Sequence, residues 1–397
     1  MTERAKVILG SGKDLSIRRF HPWIFSGAIK KIKGEVQEGD VVEIYSNHDE
    51  PLGLGHYQIG SIAVRVFYFG NEFPELNHEF WKSKIQSAYD YRKQLGLIDN
   101  ATTNVYRFLF AEGDGMPGLI ADFYNGTMVL QTHSIGMHLI KAELIEALKA
   151  VFGKSLTAIY DKSEETMPKM SPIKAENKLL WGEVKTNSVL ENNCKFEINW
   201  ETGQKTGFFI DQRENRDLLA KYSNGKKVLN TFCYSGGFSV YALQAGAELV
   251  HSVDSSKKAI ELTDNNIKLN FGETEKHQSF AIDTFNFFDN SKEEYDIIIL
   301  DPPAFAKHQN VKHNAVQGYK RLNAEAFRRI KPGGLLFTFS CSQVVDKFLF
   351  NSTVMSAAIQ SGRKVRLLHY LSQPTDHAHS IYHPEGEYLK GLVLQVE

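Results

Sequence analysis

The chain has few cysteines: only Cys194, Cys233 and Cys341 in 397 residues. An odd number at such wide spacing excludes a disulfide framework and a zinc knuckle, so no metal is expected and a reducing compartment is. No run of about 18 apolar residues occurs, and the N-terminus lacks an apolar signal core, which argues against membrane spanning and export. A cytoplasmic protein with no membrane partner is the expectation. Charge of either sign is not in excess either, with 46 Lys+Arg against 47 Asp+Glu and a formal net charge of -1. A polyanionic partner would therefore have to be held by a local patch. Internal repeats, low-complexity tracts and the G-x-G-x-x-G dinucleotide fingerprint are also missing.

What is present is a soluble composition, 42% hydrophobic and 23% charged, long enough for two or three cores. Residues 1–72 alternate short strands with turns and form a small β module, with strands expected at Ala5–Leu9, Gly34–Val42 and Ile62–Phe69. Residues 73–185 switch to helical spacing over Glu75–Leu97, return to strands from Val105, and carry an amphipathic helix over Met137–Phe152, as an α+β central domain does. Residues 186–200 alternate apolar and polar positions about Glu191-Asn192-Asn193, which predicts a linking hairpin. From residue 201 to 397 strands alternate with helices in the rhythm of a doubly wound, Rossmann-like α/β domain. Five strands from Lys227 to Phe339 and two more at Lys364–Tyr370 and Lys390–Val396 make a seven-stranded sheet.

The first strand of that domain runs into Phe232-Cys233-Tyr234-Ser235-Gly236-Gly237, with a helix expected near Ser239. Ligands of such sheets bind outside the carboxyl ends of the strands, where glycine lets backbone approach them. The next strand ends in Asp254, 18 residues beyond Gly236, the spacing at which an acid meets ribose hydroxyls. Asp283 follows the third strand, placed for an adenine amino group, and Asp301 follows the fourth. Any one of these acids is equally readable as a helix cap or a solvated loop acid; three at successive strand ends form a constellation. Adjacent glycines without the third one that cradles phosphate suit a cofactor lacking a pyrophosphate. S-adenosylmethionine is such a cofactor, and a dinucleotide dehydrogenase is the reading it displaces. The candidate cofactor contacts are Phe232, Tyr234, Ser235, Gly236, Gly237, Asp254, Asp283 and Asp301.

Asp301-Pro302-Pro303-Ala304-Phe305 is a stiff loop able to hold a planar base, although alanine separates Phe305 from the prolines. The fifth strand leads into Ser340-Cys341-Ser342, with a helix expected from about Val344. That arrangement would lower the Cys341 thiol pKa through the helix N-terminus; a buried structural thiol is the plainer alternative. A thiolate adding to C6 of a pyrimidine makes C5 nucleophilic, so Cys341 and Asp301 are the candidate catalytic residues for C5 methylation. Cys194 and Cys233 read as structural.

Arg19-Phe20-His21-Pro22-Trp23-Ile24-Phe25-Ser26-Gly27-Ala28-Ile29, Glu112-Gly113-Asp114-Gly115-Met116-Pro117-Gly118-Leu119, Thr206-Gly207-Phe208-Phe209-Ile210-Asp211-Gln212-Arg213, the glycine turn, Asp301–Phe305, Ser340–Ser342 and His383-Pro384-Glu385-Gly386-Glu387-Tyr388-Leu389-Lys390-Gly391 together resemble the RlmI-type ribosomal RNA methyltransferases. That family makes 5-methylcytidine in bacterial large-subunit RNA. The resemblance implies an N-terminal PUA domain, which is a small RNA-binding β barrel, then a central α+β domain and a class I methyltransferase domain. It implies the nucleophile role for Cys341 and cofactor contacts at the glycine turn, Asp254, Asp283 and Asp301. The chain departs from many other RNA cytosine methyltransferases in having Pro303 where they carry a second cysteine, so the C5 proton must leave by another base. Close relatives of the family methylate guanine, which keeps a guanine nitrogen open as the acceptor; a non-catalytic RNA-binding assembly factor is the reading of another class.

Between Arg4 and Lys33 eight basic residues face one acid, Asp14. With Trp23 among them, Lys6, Arg18 and Arg19 are candidate contacts to 23S ribosomal RNA, naked or in an assembly particle, and so are Lys307 and Lys312 beyond Phe305. The sequence leaves the oligomeric state open, a homodimer included.

Overall fold

The computed structural model describes residues 4–169, 171–305 and 311–397. The chain folds as two compact units. One runs to Val189 and takes in Ile198–Phe208 and Thr375–Gly386; the other comprises Leu190–Glu197, Phe209–Pro374 and Glu387–Glu397. Among the described residues no helix is long and apolar enough to cross a membrane.

The first unit opens with β1 (Lys6–Leu9), α1 (Leu15–Arg18), β2 (Trp23–Phe25), β3 (Ile29–Lys33), β4 (Val41–Tyr45), β5 (Pro51–Tyr57) and β6 (Ile62–Phe69), whose strands form one sheet in the order β2-β6-β5-β4-β1-β3. In β4 the side chains alternate, with Val42 and Ile44 buried beside Val7, Leu9, Val64 and Val66. The strand expected over Gly34–Val42 is corrected: β3 ends at Lys33, and the chain then turns through Gly34 and Gly39, at φ 93° and 95°, before β4 begins at Val41.

Next come α2 (His78–Gln94), β7 (Val105–Phe110), β8 (Leu119–Tyr124), β9 (Thr127–Thr132), α3 (Ile135–Leu139), α4 (Lys141–Phe152), β10 (Ala158–Asp161) and β11 (Lys178–Gly182), with sheet order β11-β10-β9-β8-β7. Asn77 starts α2 by accepting the Phe80 N–H at 3.1 Å. Trp81, Ile85 and Ala88 of α2 share a core with Leu144, Ala147 and Leu148 of α4, and Leu54 and Phe67 of the first sheet join them. The segment 375–386 returns to this unit, where a contiguous reading of 201–397 would not put it. Buried Arg92 provides the reason: it pairs with Asp114 and donates to the carbonyls of Arg107 at 2.9 Å and Asp376 at 2.8 Å. The Asp376 carboxylate in turn accepts the Arg107 N–H at 2.9 Å.

β12 (Ser188–Glu191) and β13 (Cys194–Glu197) pair as the expected hairpin. Asn192 and Asn193 both have positive φ, 49° and 66°, as a two-residue turn matched to strand twist requires.

The second unit contains α5 (Arg213–Ser223), β14 (Lys227–Thr231), α6 (Gly237–Gln244), β15 (Leu249–Asp254), α7 (Lys257–Phe271), β16 (His277–Ala281), α8 (Thr284–Asn290), β17 (Tyr295–Leu300), α9 (Lys312–Arg329), β18 (Ile330–Ser340), α10 (Lys347–Ser361), β19 (Val365–Ser372) and β20 (Lys390–Val396). Its seven strands lie in the order β16-β15-β14-β17-β18-β20-β19, with β14 to β18 parallel and β20 antiparallel to both neighbours. β17 is nearly continuously buried, as a strand covered on both faces must be, and Ile298 and Leu300 meet Leu229, Leu336, Phe327 and Phe350 in the core. The order reverses between β14 and β17, which opens a crevice at their carboxyl ends.

A buried ion pair ties this unit together. Arg216 of α5 donates from Nε and Nη2 to the two oxygens of Glu191, each at 2.8 Å, and Tyr241 of α6 donates to the same carboxylate at 3.0 Å. Glu191→Ala would leave the guanidinium buried and unpaired. It is expected to destabilise the protein by about 3–5 kcal/mol in denaturant unfolding, whereas replacing both partners by apolar residues of similar volume should cost far less.

Candidate active site

β14 delivers the chain to a turn with unusual backbone. Phe232 and Tyr234 have φ of 56° and 48°, and Gly236 has 72°. Left-handed conformations at two large non-glycine residues persist only where the surroundings over-determine them. Here α7 and β15 supply that restraint. Thr263 donates to the Tyr234 carbonyl at 3.0 Å and Asn266 to the Ser235 carbonyl at 2.9 Å, while the Cys233 N–H bonds to the Val253 carbonyl at 3.1 Å. At Gly236 a Cβ would come within 2.7 Å of Thr263 Cγ2, so both its φ and its space require glycine. The helix that follows begins at Gly237, two residues earlier than expected.

Asp254 ends β15 half-buried, accepting the Tyr234 N–H at 3.1 Å on one oxygen and the Ser256 N–H at 2.9 Å on the other. It braces the turn and keeps lone pairs for a ligand. Asp283 is exposed and caps α8, accepting the Phe285 and Asn286 N–H groups at 2.9 and 3.2 Å on Oδ1. Capping, the plainer reading of this residue, is thus realised through one oxygen, and Oδ2 is left over. Phe232 and Tyr234 are half-buried, and Ser235, Gly236 and Gly237 are buried.

Asp301 and Cys341 follow neighbouring strands, Asp301 directly after β17 and Cys341 directly after β18, and both are half-buried. Gln212 donates from Nε2 to Asp301 at 2.9 Å, and Asn215 holds Gln212 by donating to its Oε1 at 2.6 Å. Neither residue was singled out from sequence. Gln212 sits in the Thr206–Arg213 motif, and only the motif itself gave a signal. Phe305 packs on Tyr319 with ring centres 4.7 Å apart, and Tyr319 accepts a hydrogen bond from Ser340 at 3.0 Å.

The helix expected from about Val344 is corrected: α10 starts at Lys347, capped by Asp346, whose carboxylate accepts the Leu349 N–H at 2.8 Å. Gln343, which would precede a helix starting at Val344, is a poor N-cap, whereas Asp346 is a good one. Cys341 therefore lies beyond the first turn, within which a helix end exerts its field. Cys194 and Cys233 are buried, and burial pushes both thiols up to about 12.

In the first unit, Lys6 is half-buried with its ammonium over the Tyr45 ring, Arg18 is paired with Asp14 at 2.7 Å and with Glu50, and Arg19 is exposed without an ion pair among the described residues. Trp23 is turned inward, donating from Nε1 to Glu112 at 2.8 Å and lying 4.4 Å from the His383 ring. In the second unit Lys312 is the half-buried first residue of α9. Lys307 lies outside the described residues.

Residues 166–376 match the S-adenosylmethionine-dependent methyltransferase family, and residues 7–69 match a PUA-like domain. The chain is 38% identical over 398 residues to ribosomal RNA large subunit methyltransferase I of Aeromonas hydrophila, covering 98% of this chain and 99% of the relative. It is 37% identical to the protein of that name from Tolumonas auensis, with 98% of each covered. The chain is a methyltransferase of that family. The fold is shared with SMU.776, solved in complex with SAH, at a TM-score of 0.84 and 23% identity over 98% of this chain and 99% of that one.

S-adenosylmethionine is the methyltransferase's cofactor, and the groups at the strand ends fit it chemically. Asp254 and Asp283 are acceptors only, suited to the donors of a ribose diol and an exocyclic amine. The restrained turn after β14, next to Asp254 in the sheet order, presents backbone without a bulky side chain at Gly236 and Gly237. Asp254→Ala is expected to weaken S-adenosylhomocysteine binding by about tenfold or more in calorimetry, since charge-assisted hydrogen bonds are lost. Asp254→Asn, which keeps an acceptor for the Tyr234 N–H, should lose less.

Proposed function

We propose that the enzyme methylates C5 of a cytidine in 23S ribosomal RNA through a covalent bond between Cys341 and C6 of the base, and that it works in the cytoplasm. The observation that carries this reading is the contrast among the three thiols. Cys341 is half-exposed at the end of β18, one strand from Asp301, whereas Cys194 and Cys233 are buried with raised pKa values. The names of the relatives, which refer to large-subunit ribosomal RNA, and the PUA-like match support the substrate class.

Bound S-adenosylmethionine supplies an electrophilic methyl group. Cys341 adds as thiolate to C6, and the electron pair released to C5 takes that methyl group. A base then removes the C5 proton, the C6–S bond breaks and the thiolate is regenerated. Asp301, oriented by Gln212 and Asn215, stabilises the base at N3, with Pro302 and Pro303 stiffening its loop. Phe232, Tyr234, Ser235, Gly236, Gly237, Asp254, Asp283 and Asp301 hold the cofactor. Lys6, Arg18, Arg19, Trp23, Lys307 and Lys312 serve the RNA.

Cys341→Ala is expected to abolish 5-methylcytidine formation in vitro while retaining S-adenosylhomocysteine binding; full activity in that variant would overturn the mechanism. Nucleosides from a strain lacking the enzyme should lose 5-methylcytidine, and loss of a methylguanosine instead would move the acceptor to a guanine nitrogen. Arg19, exposed and without an ion pair among the described residues, is available for a phosphate. Arg19→Ala should weaken RNA binding equally across sequences and reduce the salt slope by about one.

A further inference from the structure

An attacking cysteine must be ionised, and an unperturbed thiol is mostly protonated at neutral pH. Two local sources of positive potential usually correct this: a helix N-terminus or a neighbouring cation. The first is displaced here, because α10 begins six residues after Cys341 and is capped by an acid.

The second is Lys390. β18 and β20 run antiparallel with Ser340 opposite Lys390, so this lysine lies across the ladder from the residue preceding Cys341. Its ammonium donates to the carbonyl of Ser342, the residue following Cys341, at 2.7 Å, and to the carbonyl of Tyr388 at 2.8 Å. The charge is thus pinned to the three-residue segment that has Cys341 at its centre. Lys390 is buried at 6% exposure, and among the described residues no carboxylate lies within ion-pair distance of it. Two carbonyls occupy two of the three ammonium donors and leave the third. A buried ammonium without a carboxylate partner is costly unless another anion faces it.

Resting on the reading of Cys341 as nucleophile, we propose that Lys390 is the positioning residue that holds Cys341 as thiolate, its ammonium taking the place of the helix N-terminus. Charge coupling supports this. Burial pushes the Lys390 pKa down, and the interaction with Cys341 leads those that push it back up, followed by Glu387 and Asp346. The coupling is mutual, so a thiolate that keeps the lysine charged is itself favoured by that charge. Two other described groups near the thiol do not supply it. Tyr319, facing from α9, has its hydroxyl pushed up to about 12 by burial and stays neutral, and Asp301, after β17, is an acid. Asp346 and Glu387, beside Lys390, are acids too.

The test is the rate of Cys341 alkylation by iodoacetamide as a function of pH, read by mass spectrometry on the peptide that carries it. In the unmodified full-length enzyme the midpoint should lie clearly below about 8.5, the value of a free cysteine; a midpoint at or above it overturns the proposal without any variant. Lys390→Met should raise the midpoint by about one unit or more, which is about tenfold slower alkylation below it, while Lys390→Arg should stay near the parent. Retained S-adenosylhomocysteine binding checks that each variant is folded. If Lys390→Met binds S-adenosylhomocysteine, loses methylation and keeps the parent alkylation profile, the lysine is only a strut between two carbonyls and the proposal fails. The nucleophile reading fails separately, through an active Cys341→Ala enzyme.

Discussion

The buried pair between Arg216 and Glu191 is the interaction on which the methyltransferase unit rests. Glu191 ends the first hairpin strand and Arg216 lies on α5, yet the two meet with full bidentate geometry and negligible exposure. The same guanidinium donates to the Phe209 carbonyl at 3.0 Å, and the Phe209 ring stands 5.0 Å from Tyr234 in the glycine turn. Gly237 lies directly against the arginine: a Cβ there would come within 3.1 Å of Arg216 Cδ. Hairpin, α5, α6 and turn are therefore positioned by one fully satisfied charge pair. Its specificity comes from geometry, because any partial loss leaves a charge in low dielectric.

That support explains how the turn can hold two large residues at positive φ. Left-handed backbone at Phe232 and Tyr234 costs on the order of 1–2 kcal/mol per residue. The hydrogen bonds donated by Thr263 and Asn266 and the one that Asp254 accepts offset this, since they are made only when the turn adopts this shape. Asp254 links the two roles, bracing the turn with lone pairs left over for a ligand. Asp301 is handled similarly, restrained by the Asn215–Gln212 chain of hydrogen bonds on one side and by two prolines on the other.

The three cysteines show how environment separates residues of one type. Cys194 packs in the hairpin and Cys233 beneath the turn, where burial makes the thiolate inaccessible at neutral pH. Of the three, Cys341 is half-exposed, and the last strand brings a lysine opposite the residue before it. β20 inserts between β18 and β19, and that insertion sets residue 390 beside residue 341.

From the sequence alone came the seven-stranded α/β unit with its acids at successive strand ends and the Asn192-Asn193 hairpin. These follow from local chemistry: buried parallel strands read as apolar runs, and turns require particular residues. Other features needed the tertiary structure. The start of α10 depended on which of several capping side chains won, the return of residues 375–386 on a buried arginine seeking carbonyls, and the Gln212–Asp301 and Lys390–Ser342 bonds on residues 89 and 48 positions apart. Local sequence records what each segment prefers. Long-range partners for buried polar groups are chosen only when the sheet closes, because a buried charge or amide must be satisfied by whatever the packing brings within reach.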